Sequence, residues 1–138
     1  MSATYYSENL LLKRLFGSVT LTPPSNWHIA LFTGTGPTEA LGGGTEVSGT
    51  GYARVSVPNT ITYWNDPSYG LLTNKLAIVF PEALGSWGNI TYVGFYDTAI
   101  GGASNLWFYE ALTSAKTVDT GTTVQFTAAT LTISARNT

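Results

Sequence analysis

The chain has no cysteine and a single histidine, His28. Without thiols there is no disulfide, no thiolate metal site and no cysteine nucleophile, so stability must come from packing and hydrogen bonding. One imidazole would need several converging carboxylates to hold an ion, and a structural place for His28 beside Trp27 is expected instead. Charge is scarce as well, with six basic and eight acidic side chains among 138 residues and a formal net charge of -2. Nucleic-acid binders need clustered cations to release counterions, and here only Lys13 and Arg14 adjoin, so no nucleic-acid partner is expected. No apolar run approaches the roughly 20 residues that span a bilayer, so no membrane partner is expected either. The start Met1 to Tyr5 lacks a basic segment leading into an apolar stretch and a cleavage site, which predicts synthesis in a cytoplasm without a secretory signal.

What is present is apolar. At 43% hydrophobic and 13% aromatic residues the chain can bury enough surface to fold, and its length fits one domain spanning 1–138. Residues 1–22 form a helical N-terminal segment in this reading. Ser7 has the chemistry of an N-cap, Glu8 lies in the first turn, Lys13 and Arg14 in the last, and Gly17 can end the helix, which predicts a helix over Ser7 to Phe16. Leu10, Leu11, Leu12, Leu15 and Phe16 give it a wide apolar stripe. About three turns cannot persist alone in water, so the stripe must dock, on its own sheet or on a neighbouring subunit.

After Pro23-Pro24 the period changes to that of strands, and 27–138 reads as a β body. Trp27 to Thr33 places Trp27, Ile29 and Leu31 on one side and His28, Ala30 and Phe32 on the other, as a central strand covered on both faces would. Residues 34–51 hold seven glycines and Pro37. They read as a long surface loop, the first candidate for a contact arm. Further strands are expected at Ala53 to Val57, Thr60 to Tyr63, Thr73 to Phe80, Ile90 to Asp97, Leu106 to Leu112, Lys116 to Val118, Thr122 to Phe126 and Leu131 to Ala135. In the last two, Val124, Phe126, Leu131 and Ile133 face inward. Many short strands with turn signals and one helix predict an all-β fold, an antiparallel β-sandwich or jelly roll with a short N-terminal α-helix.

Chemistry finds little to work with. Asp97 and Glu110 lie on neighbouring strand candidates, yet nothing local marks either as desolvated, as one of a glycosidase pair would be. Gly42-Gly43-Gly44-Thr45 lacks the Gly-Lys-Ser or Gly-Lys-Thr of a phosphate loop, and no Gly-x-Ser-x-Gly elbow accompanies the serines. No catalytic, metal or cofactor residue is assigned, and the chain reads as a non-enzyme.

Surfaces carry more. Glu46 and Arg54 flank the Gly-rich turn and are the pair there most able to meet; an exposed pair, worth at most about 1 kcal/mol, would fix loop geometry. Tyr92 and Tyr96 share one strand face, as do Trp107 and Tyr109 on the next, with Val93, Phe95, Leu106 and Phe108 on the core face. These four rings are core if they lie inside the sandwich, and a subunit interface or sugar-stacking platform if they face out. The candidate protein–protein interface is thus Leu11, Leu15, Phe16, Gly43, Glu46, Arg54, Tyr92, Tyr96, Trp107 and Tyr109.

Several stretches resemble one family of small phage virion proteins. They are Gly44-Thr45-Glu46-Val47-Ser48-Gly49-Thr50-Gly51-Tyr52-Ala53-Arg54, Ile78-Val79-Phe80-Pro81, Gly85-Ser86-Trp87-Gly88, Val93-Gly94-Phe95-Tyr96-Asp97, Leu106-Trp107-Phe108-Tyr109-Glu110-Ala111-Leu112 and Lys116-Thr117-Val118-Asp119-Thr120-Gly121. The resemblance covers most of the chain from Trp27 onward. Such proteins are described as tail-fibre-like, minor tail or capsid accessory proteins, so the resemblance implies a virion part with no catalytic pattern to carry over. A β body, a docking helix and a Gly-rich arm favour a capsid cement or decoration protein that binds other virion proteins and forms a homo-oligomer. A tail fibre, baseplate or neck component is the alternative, and a carbohydrate-binding receptor module a second.

Overall fold

The computed structural model describes residues 1–40, 43–100 and 106–135. Its elements run β1 (Ser2–Ala3), α1 (Tyr5–Leu15), β2 (Asn26–Pro37), β3 (Gly43–Glu46), β4 (Val55–Pro58), β5 (Leu71–Thr73), β6 (Ile78–Val79), β7 (Gly88–Tyr96), β8 (Leu106–Val118), β9 (Gln125–Phe126) and β10 (Thr132–Ser134). Along β2, Trp27, Ile29 and Leu31 face the main core while Ala30 and Phe32 face a second, smaller cluster. A strand buried on both sides belongs inside a sheet, and β2 is paired along both edges, by β7 on one and by β4 and then β3 on the other. The resulting antiparallel sheet of six strands runs β1-β8-β7-β2-β3, with β4 sharing the outer edge of β2. Two small antiparallel ladders, β5 with β10 and β6 with β9, supply the opposing layer.

Between the layers Ile29, Leu31, Val93 and Phe95 of the large sheet meet Trp64, Ile78, Phe80, Trp87 and Leu131. The fold is therefore all-β, an antiparallel sandwich carrying a short N-terminal helix. A fully buried amide ties the smaller layer together. Asn74 Nδ2 donates to the Leu76 and Thr127 carbonyls, and the Leu131 N–H donates to its Oδ1, each at 2.9 Å.

Several local expectations are corrected. The helix starts two residues before Ser7, with Thr4 as its N-cap. Thr60 to Tyr63 is a turn, because the Tyr63 and Trp64 N–H groups both return to the Thr60 carbonyl, at 3.0 and 3.1 Å. The strand expected over Thr73 to Phe80 splits into β5 and β6 where Asn74 folds its amide back on the chain. The two strands expected at Leu106 to Leu112 and Lys116 to Val118 are one, with the break surviving as a jump in register. Ala111 lies opposite Tyr92 and Lys116 opposite Ile90.

The long loop over 34–51 is largely a hairpin. Strand β2 continues to Pro37, and β3 pairs back on it, with Thr45 opposite Thr33 and Gly43 opposite Pro37. Leu41 and Gly42, within that stretch, lie outside the described residues. Glycine does here what a loop reading does not anticipate: at Gly36 it leaves room for the Tyr92 ring, which a Cβ would overlap.

Candidate assembly surface

The helix is attached by hydrogen bonds more than by its leucines. Thr4 caps it, accepting from the Ser7 N–H at 3.4 Å, and its hydroxyl donates to the Leu106 carbonyl at 2.6 Å. The Ser7 hydroxyl donates to the Trp107 carbonyl at 2.8 Å, and the Thr4 N–H to the same oxygen at 2.9 Å. Both side chains are fully buried. Tyr6 adds an edge contact to the Trp107 ring, 5.6 Å between centroids. This latch to the start of β8 turns Tyr6, Ser7 and Leu10 inward, and the greater part of the apolar stripe outward. Leu11 and Leu12 are 44% and 53% exposed, and Leu15 and Phe16 76% and 81%.

The aromatic candidates divide between two sites. Tyr92, Tyr96 and Tyr109 gather with Ala30, Phe32 and Leu106 on the outer face of the large sheet. Trp107 does not join them, and Leu106 takes the place expected of it. The cause is a shift in register between Phe95 and Tyr96, which sets Phe108 opposite Phe95 but Leu106 opposite Tyr96, leaving Trp107 as the extra residue. Its ring packs edge-on against Trp27 at 5.2 Å, and its Nε1 donates to Asp97 Oδ2 at 3.0 Å. Tyr96 and Trp107 are both buried, so the four rings form no continuous open platform. Tyr109 stays half-buried, and its phenol is raised above its usual pKa by burial and then by the nearby Glu39 carboxylate.

Glu46 and Arg54 do meet, though not as an exposed pair. Arg54 Nε and Nη2 donate to the two carboxylate oxygens at 2.8 and 2.7 Å, a bidentate fork, and the Arg54 side chain is 4% exposed. Its guanidinium lies 3.6 Å from the Tyr96 ring centroid, and Nη1 donates to the Thr98 carbonyl at 3.0 Å. Burial works against the arginine charge, but the Glu46 hydrogen bond and charge outweigh it and the pKa is raised.

Sequence reasoning missed Tyr52, the third member. Between β3 and β4 the edge of β2 is open at Leu31; there the Val47 N–H donates to the Leu31 carbonyl at 2.9 Å, and the Leu31 N–H donates to the Tyr52 hydroxyl at 3.0 Å. That hydroxyl donates in turn to Glu46 Oε1 at 2.9 Å. Burial, set against the Leu31 hydrogen bond and joined by Glu46, pushes the Tyr52 phenol far up. The Tyr52 ring sits edge-on to Trp87 at 5.3 Å, and Trp87 Nε1 donates to the Thr50 carbonyl at 3.0 Å. The stretch from Gly44 to Arg54 thus folds as a plug in the sheet edge, and the only sequence signal for it was the unusual run Gly-Tyr-Ala-Arg.

Beside β8 and α1 runs a broad groove of about 1090 Å³, with Leu11, Leu12, Leu72, Tyr92, Phe108 and Tyr109 in its walls and Glu8, Glu39 and Glu110 among its lining. Gly43, the remaining candidate, opens β3 at φ +74°, a value that favours glycine. Asp97 and Glu110 are held apart: Glu110 pairs with Val93, four residues or about 13 Å along β7 from Asp97. No group of three or more metal-binding side chains occurs among the described residues, and no helix there is long and apolar enough to cross a membrane.

Fold and surface together define a small all-β protein that presents an outward apolar helix with a groove beside it. Residues 2–134 match the family model described as podophage GP4 fiber I protein gp80, and the chain belongs to that family. It is a phage virion structural protein. A comparison with curated proteins returns no match.

Proposed function

We propose that the protein is a non-enzymatic fibre component of a phage tail, made in the host cytoplasm, which self-associates and attaches to other virion proteins. The observation that carries this reading is the match of nearly the whole chain to a fibre family, and the uncovered apolar stripe of α1 supports self-association. The fibre reading takes precedence over capsid cement because the Gly-rich segment proposed as a reaching arm is largely spent in the β2–β3 hairpin. A sugar-stacking role is disfavoured by the burial of Tyr96 and Trp107.

Copy number tests the placement. A tail location implies from about six or fewer to a few dozen copies per virion, and a capsid coat hundreds. Gel densitometry of purified virions, with antibody labelling in negative stain, is expected to give the lower number and label on the tail. Hundreds of copies spread over the head would overturn the fibre reading in favour of capsid decoration.

A further inference from the structure

The tip of α1 is the least covered apolar point of the helix, yet it is well formed. The Ser18 N–H donates to the Lys13 carbonyl at 2.8 Å and the Gly17 N–H to the Arg14 carbonyl at 3.4 Å, with Gly17 at φ +77°. This is a Schellman closure, which satisfies the last carbonyls and fixes the direction of the final turn. Exposure rises along the helix from Leu11 to Phe16, so the two most open apolar side chains stand on its most constrained end. Beside them are Lys13 and Arg14, two of the six cations in the chain, neither in an ion pair among the described residues.

The groove beside β8 has the complementary character. Its walls are apolar, and its lining includes Glu8 and Glu39, which likewise have no ion-pair partner among the described residues. Glu110 also lines it but lies 3.8 Å from the Met1 amino group and is left out of the balance. The tip cannot enter the groove of its own chain, because Glu8 and Arg14 belong to one continuous helix and stand about 9 Å apart along its axis. Nor does tip against tip across a two-fold axis suit the charges, since it would bring four cations together.

We propose that α1 of one copy seats Leu15 and Phe16 in the β8 groove of a second copy, with Lys13 and Arg14 set against Glu8 and Glu39, so that copies join head to tail. Such a contact is heterologous and closes as a ring when the rotation between copies divides a full turn. The inference rests on the proposed self-association and adds its interface.

The test uses the full chain in sedimentation velocity over a wide concentration range. The wild type is expected to exceed its monomer mass of 14.7 kDa, while Leu15→Ser with Phe16→Ser falls to it with an unchanged urea midpoint in the monomeric range. Two charge-reversed proteins decide the register. Lys13→Glu with Arg14→Glu, and Glu8→Lys with Glu39→Lys, are each expected to be monomeric alone and to associate when mixed. A wild type that stays monomeric overturns both the interface and self-association. An assembled wild type that ignores the Leu15 and Phe16 changes, or reversed proteins that fail to complement, overturns the interface and leaves self-association standing. Association of the wild type only after adding another purified virion protein assigns the tip to that protein and overturns the proposal.

Discussion

Removing Glu46 tests whether the plug at the sheet edge holds the fold. In Glu46→Ala, Arg54 loses two charge-assisted hydrogen bonds of 2.7 and 2.8 Å while its side chain stays almost wholly inside. The Thr98 carbonyl and the Tyr96 ring are among the contacts it keeps, and neither of these neutralises the charge. Removing one partner of a buried pair costs about 3 to 5 kcal/mol. Because the Glu46 side chain is 26% exposed, water can reach the vacated site, so we take the lower end, about 3 kcal/mol. The Tyr52 hydroxyl loses its acceptor too, adding about 1 kcal/mol. For a chain of this size the sum lowers Tm by about 10 °C or more.

Urea unfolding followed by tryptophan fluorescence is a suitable assay, since Trp87 packs on the Tyr52 ring and reports on the plug. Glu46→Gln keeps an acceptor oxygen without the charge and should fall between wild type and alanine. In a cycle with Arg54→Ala, the double variant should cost about 2 kcal/mol less than the sum of the single ones, because removing both partners takes the buried charge away together with the carboxylate that offsets it. A loss below about 1 kcal/mol for Glu46→Ala, or strict additivity in the cycle, would mean that the pair acts as an ordinary surface pair and would refute the reasoning.

Asn74→Ala leaves the Leu131 N–H and the Leu76 and Thr127 carbonyls without the amide they share, and is expected to cost about 3 kcal/mol in urea unfolding with little change in slope. Gly36→Ala places a methyl group in the Tyr92 ring and should cost about 1 to 3 kcal/mol, most of it recovered when Tyr92→Ala is added. The His28 pKa is lowered in the folded state by burial and then by the Arg54 charge, with Asp97 opposing. The unfolded chain therefore binds the proton first, and the stability from neutral His28 is present above about pH 6.5 and lost as pH falls towards the folded value. His28→Gln should flatten stability between pH 7 and 5 by less than one proton's slope; an unchanged pH profile would contradict this assignment.

The fold class was legible because alternation survives wherever a strand has one covered face, as at Val124 and Phe126 or at Leu131 and Ile133. The central place of β2 was legible for the complementary reason, that both its faces are apolar. Register was not. The shift at Phe95 that exchanges Leu106 for Trp107 leaves no mark in an alternation pattern, since both residues are large and apolar. The hairpin hidden in the Gly-rich stretch was lost because strand propensity ranks glycine low, whereas Gly36 is there for the space it leaves to Tyr92. The pairing of Glu46 with Arg54 was foreseen, but its burial was not, because burial depends on the Tyr96 ring and the Thr98 carbonyl arriving from more than forty residues along the chain.

The helix departs from one that serves its own core, because the greater part of its apolar stripe faces outward. A surface helix ordinarily turns its apolar stripe inward and its polar residues to water. Here the inward side carries Ser7, which donates to the Trp107 carbonyl, while Leu11, Leu12, Leu15 and Phe16 look out. Rotating the helix to bury the leucines would pull the Thr4 and Ser7 hydroxyls away from the Leu106 and Trp107 carbonyls, leaving those acceptors at the start of β8 without them. The latch thus forbids the arrangement that would satisfy the stripe within one chain. A second surface that covered this outward stripe would stabilise it, and the groove beside β8, acidic where the helix tip is basic, is the surface proposed to do so.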